Sequence, residues 1–175
     1  MTASPRRHRP RVIPPTGCIL TSCYMEPVKL TTCMLADGAR QGQDGKLYIF
    51  GGQWDRIFAP TVPTSHPTMA VVVVLQVEYN EALADHELEL TLRRADGEPV
   101  GPKGVARFNV GHPPGLEPGA PVAFPLTMEQ QGIVFDSYGR FEWLVEVDGE
   151  EMGRLPISVA QMPTTGTSAA PPAVT

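Results

Sequence analysis

The chain is poor in the residues that most enzymes and nucleic-acid binders depend on. Charged side chains make up only 19% of its 175 residues, against roughly 25% in ordinary soluble domains. The few that are present lean acidic. A net charge of −5 and a pI near 5.3 argue against nucleic acid as a partner, because phosphate-backbone binding needs a concentrated basic surface. The one basic cluster, Arg6, Arg7, His8, Arg9 and Arg11, sits in a Pro-rich leader and reads as a solvated tail.

Cysteine is scarce and odd in number. Cys18, Cys23 and Cys33 exclude a full disulfide framework, and no Cys-x2-Cys or His-x3-His pair offers zinc its four ligands. Such a thiol pattern suits a reducing, cytoplasmic setting. Long hydrophobic runs are missing too. The longest, Met69 to Leu75, falls far short of the roughly 20 residues needed to span a bilayer, so no membrane partner is expected. Leu20-Thr21-Ser22-Cys23 faintly resembles a lipoprotein cleavage box. However, Pro10, Pro14, Pro15 and Gly17 break the apolar stretch that a signal peptide requires, and lipoprotein export is not expected.

Gly and Pro are abundant, at 17 and 19 copies. That is high for packed helices and usual where short strands are joined by turns. Residues 1–27 and 162–175 show no sustained period and are expected to be a disordered leader and a disordered Pro/Thr/Ala tail, enclosing a domain at 28–161.

Inside the domain the dominant period is two, which puts alternate side chains on opposite faces of a strand. Phe141, Trp143, Val145 and Val147 alternate with Arg140, Glu142, Leu144 and Glu146; Leu88, Leu90 and Leu92 alternate with Glu87, Glu89, Thr91 and Arg93. Each set predicts one buried and one wet face. Ala70 to Leu75 is apolar on both sides and predicts a central strand. Asp44-Gly45, Asp96-Gly97 and Asp148-Gly149 supply the positive φ angles of tight turns. Further runs at Lys29–Leu35, Lys46–Gly51, Trp54–Phe58, Ala106–Val110, Val122–Met128 and Met152–Val159 bring the total to eight or nine strands. The predicted architecture is an all-β, two-sheet antiparallel β-sandwich of immunoglobulin-like or C2-like shape. Asn80–Ala84 is too short for more than a turn.

Candidate chemistry is thin. His86 stands between Asp85 and Glu87, but neighbours on a strand point to opposite faces and cannot converge on one metal ion. His66 and His112 lie in Pro-rich loops with no partner that sequence can nominate. No serine occupies a Gly-x-Ser-x-Gly turn, and Gly51-Gly52 does not form a phosphate-cradling loop. Glu142, Glu146, Glu150 and Glu151 mark a wet strand face rather than a calcium loop dense in converging oxygens. Trp143 belongs to the core by its parity, while Trp54 is the candidate exposed aromatic. The loop from Gly111 to Gly119 is stiffened by Pro113, Pro114 and Pro118. It reads first as a structural crossover and second as a partner-binding loop presenting His112, Leu116 and Glu117.

Several stretches carry a resemblance: Val28 to Asp37, Asp44 to Ile57, Glu78 to Ala82, Asp96 to Val100, Val110 to Leu116 and Gly139 to Trp143. Across residues 25 to 160 the chain is similar to an uncharacterised bacterial family known only as a domain of unknown function. The resemblance supports the domain boundaries and implies no activity or site residue. It also implies a start near the first strand, so that Met25 reads as the natural first residue and the leader as an upstream extension. The functional expectation is a non-catalytic binding or scaffolding module that uses a protein partner or self-assembly and no cofactor. The alternatives are a virion or other assembly component, and a small-ligand binder or enzyme whose site is assembled from distant loops.

Overall fold

The computed structural model of the chain describes residues 27–163. Nine strands account for most of them: β1 (Val28–Gln41), β2 (Leu47–Gly52), β3 (Arg56–Ala59), β4 (Thr64–Val77), β5 (His86–Arg94), β6 (Gly104–Phe108), β7 (Val122–Phe135), β8 (Gly139–Val147) and β9 (Glu150–Gln161). One sheet runs β2-β1-β4-β7, the other β3-β9-β8-β5-β6. The chain is thus a two-sheet β-sandwich. The expected leader and tail lie, but for their innermost residues, outside the described part. No helix among the described residues is long and apolar enough to cross a membrane.

Period two fixes the inner faces. Leu88, Leu90 and Leu92 on β5 and Phe141, Trp143, Val145 and Val147 on β8 are buried, and they meet Val71, Val73, Leu75 and Leu35 from the facing sheet. Fully burying one such side chain contributes about 1.5–3 kcal/mol relative to leaving it exposed. β4, paired with β1 on one side and β7 on the other, is the expected central strand, and Met69 to Val73 have no exposed surface at all. Its outward residues Ala70 and Val72 form a second small cluster with Ala36 and Ala39.

The three Asp-Gly turns form where expected, with φ of +75°, +90° and +81° at Gly45, Gly97 and Gly149. Asp148 also takes a positive φ, +53°, so both central residues of the β8–β9 hairpin adopt the primed-turn conformation whose twist matches its strands.

Four features differ from the sequence reading. First, β3 runs parallel to β9, although every other strand pairing is antiparallel. β3 arrives from the opposite sheet through Gln53–Asp55, so a crossover and not a hairpin sets its direction. Second, β7 continues to Phe135, keeping one register with β4 past the point where Gly132, at φ +62°, stands opposite Pro67. Third, His66 lies on β4 rather than in a loop. Fourth, Leu144 and Thr91, predicted wet, are only 2% and 3% exposed. They are register partners on the outer face, flanked by Arg154 and the glutamates it binds. The aliphatic stems of such side chains cover apolar surface while their charges stay in water.

Candidate functional site

Three places gather polar or aromatic groups. The first surrounds His86, which is buried at the start of β5. Its Nδ1 is 2.7 Å from Oδ2 of Asp148, and its Nε2 is 3.2 Å from the Glu81 carbonyl. The other carboxylate oxygen of Asp148 accepts the Glu87 backbone N–H at 2.8 Å. Arg107 pairs with Glu87 at 2.8 Å, and the Asn109 amide donates to the carbonyls of Leu83 and Ala84. Phe108 stacks on the His86 ring at 5.3 Å. Each of these groups already has a protein partner, so the cluster works as a clasp that ties the β8–β9 turn to β5. Glu87 and Asp85 do not join His86 in a ligand set. Among the described residues no group of three or more His, Cys, Asp or Glu side chains is placed to hold a metal ion.

The second place is the loop from Gly111 to Gly119. His112 stacks on Tyr79 with ring centroids 4.1 Å apart, and its Nε2 lies 3.0 Å from the Tyr79 carbonyl. The Gly111 N–H donates to the Ala82 carbonyl at 2.7 Å. Leu116 is half-buried and Glu117 exposed, each closing a turn with a backbone hydrogen bond. His112 therefore has the partner that sequence did not nominate, and these contacts favour the structural reading of the loop.

The third place is a groove of about 670 Å³ between the sheets. Five consecutive residues of β1, Thr31 to Leu35, line one side; Gln53, Trp54 and Asp55 form the end, with Leu155 and Pro156 of β9 opposite. Consecutive residues cannot all reach a groove from the face of a strand, since neighbours alternate. They can do so from its edge. β2 begins pairing with β1 only at Ala36, which leaves the preceding edge of β1 without a strand partner among the described residues. The geometry follows from unequal lengths: β1 has 14 residues and β2 only 6. At the end of β2 the chain turns away through Gly51 and Gln53, at φ +57° and +64°.

The Gln53 N–H donates to the Leu35 carbonyl at 2.7 Å, so Leu35 presents its backbone polar groups on the groove side. In an antiparallel ladder this repeats every second residue, and the N–H and carbonyl of Cys33 face the groove as well. Trp54, expected as an exposed aromatic, is half-buried and packs against the core. Its ring centroid lies 5.5 Å from that of His66. The indole Nε1 of Trp54 is buried and has no hydrogen-bond partner among the described residues. Burial pushes the Cys33 thiol up to about 11 and holds His66 below its ordinary value, as expected for groups whose charged forms are poorly solvated. The groove lay hidden from sequence because it joins β1 to β9 across the sandwich. The only local signals were the Gly51-Gly52 bend and the shortness of the run that follows Asp44-Gly45.

Fold and groove together define a two-sheet β-sandwich with an open strand edge. The chain belongs to the family described as "Family of unknown function (DUF6941)", which matches residues 31–160. No curated protein matches it. Among solved structures, the alkylpurine DNA glycosylase AlkC of Pseudomonas fluorescens, bound to DNA containing an abasic site analog, is similar at a TM-score of 0.44 and 14% identity. The match covers 76% of this chain and 30% of that one.

Proposed function

We propose that the protein is a non-catalytic binding module that takes an extended segment of a protein partner as an added strand on the open edge of β1. The observation that carries this reading is the groove lined by five successive residues, Thr31 to Leu35. An unpaired edge is a template for another strand, since main-chain hydrogen bonds supply affinity and flanking pockets select alternate side chains. Trp54 supplies such a flank, with an apolar ring at the end of the groove.

Panning a displayed library of random decapeptides against the protein tests the reading. Selected peptides should lose about tenfold in affinity for Cys33→Pro, the equivalent of one backbone hydrogen bond. The substitution removes an N–H on the groove side and none that pairs with β4. N-methylation at successive peptide positions should weaken binding with a period of two. Failure to enrich any binder, or binding indifferent to both changes, overturns the proposal.

A further inference from the structure

Each sheet ends in two edge strands, β2 and β7 in one, β3 and β6 in the other. An uncovered edge invites pairing with another chain, and proteins commonly blunt it with charge or proline. Three of these edges carry such a guard: Arg56 on β3, Arg107 on β6, and Pro125 and Glu129 on β7. β2, which reads Leu47-Tyr48-Ile49-Phe50-Gly51-Gly52, carries none. Yet Tyr48, Ile49 and Phe50 are 42%, 37% and 56% exposed, three large apolar side chains in a row on a strand whose outer edge has no strand partner among the described residues.

The direction of the backbone groups is set at the turn. The Gly42 N–H donates to the Lys46 carbonyl at 2.8 Å, so Lys46 turns its polar backbone groups toward β1. By alternation Tyr48 and Phe50 do the same, and Leu47 and Ile49 turn theirs to the open edge. The side chains divide as well. Tyr48 and Phe50 share the face of their register partners Arg40 and Gly38, and Ile49 shares the other face with Ala39.

These positions suit one occupant, the same strand of a second copy. Centred on Ile49, an antiparallel strand exchanges both backbone hydrogen bonds with that residue and stands opposite Tyr48 and Phe50 at the closely spaced positions of the ladder. When that strand is another β2, Ile49 meets Ile49, and Tyr48 and Phe50 of each copy meet Phe50 and Tyr48 of the other. Aromatic cross-strand pairs stabilise a sheet, and here no like charges are set against them. The contact is its own two-fold mate, so a single pairing closes it and leaves no further β2 edge open.

We propose that β2 pairs antiparallel with β2 of a second copy about a two-fold axis at Ile49, joining two four-stranded sheets into one continuous sheet. With a whole aromatic side chain burying about 150–250 Å², the exposed parts of Tyr48, Ile49 and Phe50 amount to roughly 250 Å² per copy. Twice that is well short of the roughly 1,600 Å² of a standard stable interface. The dimer is therefore weak and reversible. No residue of β2 lines the β1 groove, so the pairing does not rest on strand addition there.

Sedimentation velocity of the full chain between about 10 µM and 1 mM, the range suited to a small interface, is the test. The average mass should climb with concentration and level off at twice that of the monomer. Ile49→Lys and Ile49→Glu each set like charges against one another at the axis, and each should weaken self-association at least about tenfold while leaving the melting curve cooperative. Mixed in equal amounts the two should associate again, because Lys then faces Glu. That rescue requires two copies of the same strand, and neither a terminal segment of the chain nor an unrelated partner can produce it. Phe50→Lys, at the most exposed of the three side chains, provides a second disruption should position 49 prove intolerant of charge. A mass that stays at the monomer throughout overturns the proposal, and slow exchange of the Ile49 amide in that monomer would assign the edge to the chain's own ends. Growth beyond the dimer, association indifferent to the changes at Ile49 and Phe50, or two folded Ile49 variants that fail to rescue each other overturns it equally.

Discussion

The Nδ1 of His86 and Oδ2 of Asp148 stand 2.7 Å apart across 62 residues of sequence, and that contact makes a turn residue into part of the core's lid. Asp148 sits in the hairpin with a positive φ that Asp and Asn tolerate better than most residues. The nitrogen facing a carboxylate must carry the hydrogen, and the ring held by this contact stacks on Phe108.

Replacing Asp148 therefore separates two effects. Asp148→Asn keeps the turn and an acceptor but loses the charge, and should cost about 1 kcal/mol in chemical denaturation. Asp148→Ala loses both side-chain hydrogen bonds and strains the turn, and should cost about 3 kcal/mol. An alanine protein as stable as the wild type would show that the clasp carries no stability.

How far sequence could see this fold is clear from the same residues. The alternation at Phe141–Val147 and Leu88–Leu92, the apolar run at 69–75 and the three Asp-Gly turns are local signals, and each led to the observed strand or turn. The His86–Asp148 contact, the stacking of His112 on Tyr79 and the groove between β1 and β9 depend on which strands the sandwich brings together. Alternation says which face a side chain takes and nothing of what covers that face, which is why Leu144 and Thr91 were misplaced. The parallel pairing of β3 had no local signal either, because its partner β9 lies about a hundred residues away.

Cys33 should be a slow nucleophile. Burial pushes its thiol up to about 11, and the thiolate is the reactive form. In a Cys18→Ser, Cys23→Ser background, alkylation by iodoacetamide at pH 8 should run more than about a hundredfold slower than that of a free thiol with an ordinary pKa near 8.5. Labelling at the rate of free glutathione would contradict the burial of this side chain.

His66 should make the protein acid-sensitive. Burial beside Trp54 lowers its folded-state value below the usual 6.5, and the opposing pull of Asp37 is smaller. Between the two values the unfolded chain holds the proton and the folded chain does not, so stability rises with pH through this range and falls on acidification. Melting temperatures measured between pH 8 and pH 5.5 should fall for the wild type and fall less for His66→Gln. The window lies above the range in which ordinary carboxylates titrate. Parallel curves for the two proteins would remove His66 as the cause.

The last prediction concerns the outer face of the β3-β9-β8-β5-β6 sheet, where Arg154 lies next to Leu144 in register and binds Glu142 and Glu151 at 2.9 and 2.7 Å. Two accounts of this trio differ in their salt dependence. If Arg154 acts only through charge, its removal should matter little, and not at all in 1 M NaCl, where the screening length falls to about 3 Å. If its stem is part of what hides Leu144 from water, Arg154→Ala should lower the melting temperature by a similar amount in low and high salt. The 2% exposure of Leu144 on a nominally wet face favours the second account. Leu144→Ala should then cost about 2–5 kcal/mol, the range for a buried leucine, and far more than a surface substitution, which usually stays within about 0.5 kcal/mol. The double variant should lose less than the sum of the two single losses, because the stem has nothing left to cover once the leucine is gone. Strict additivity, or a loss at Arg154 that vanishes in high salt, would return Arg154 to the role of an ordinary surface charge.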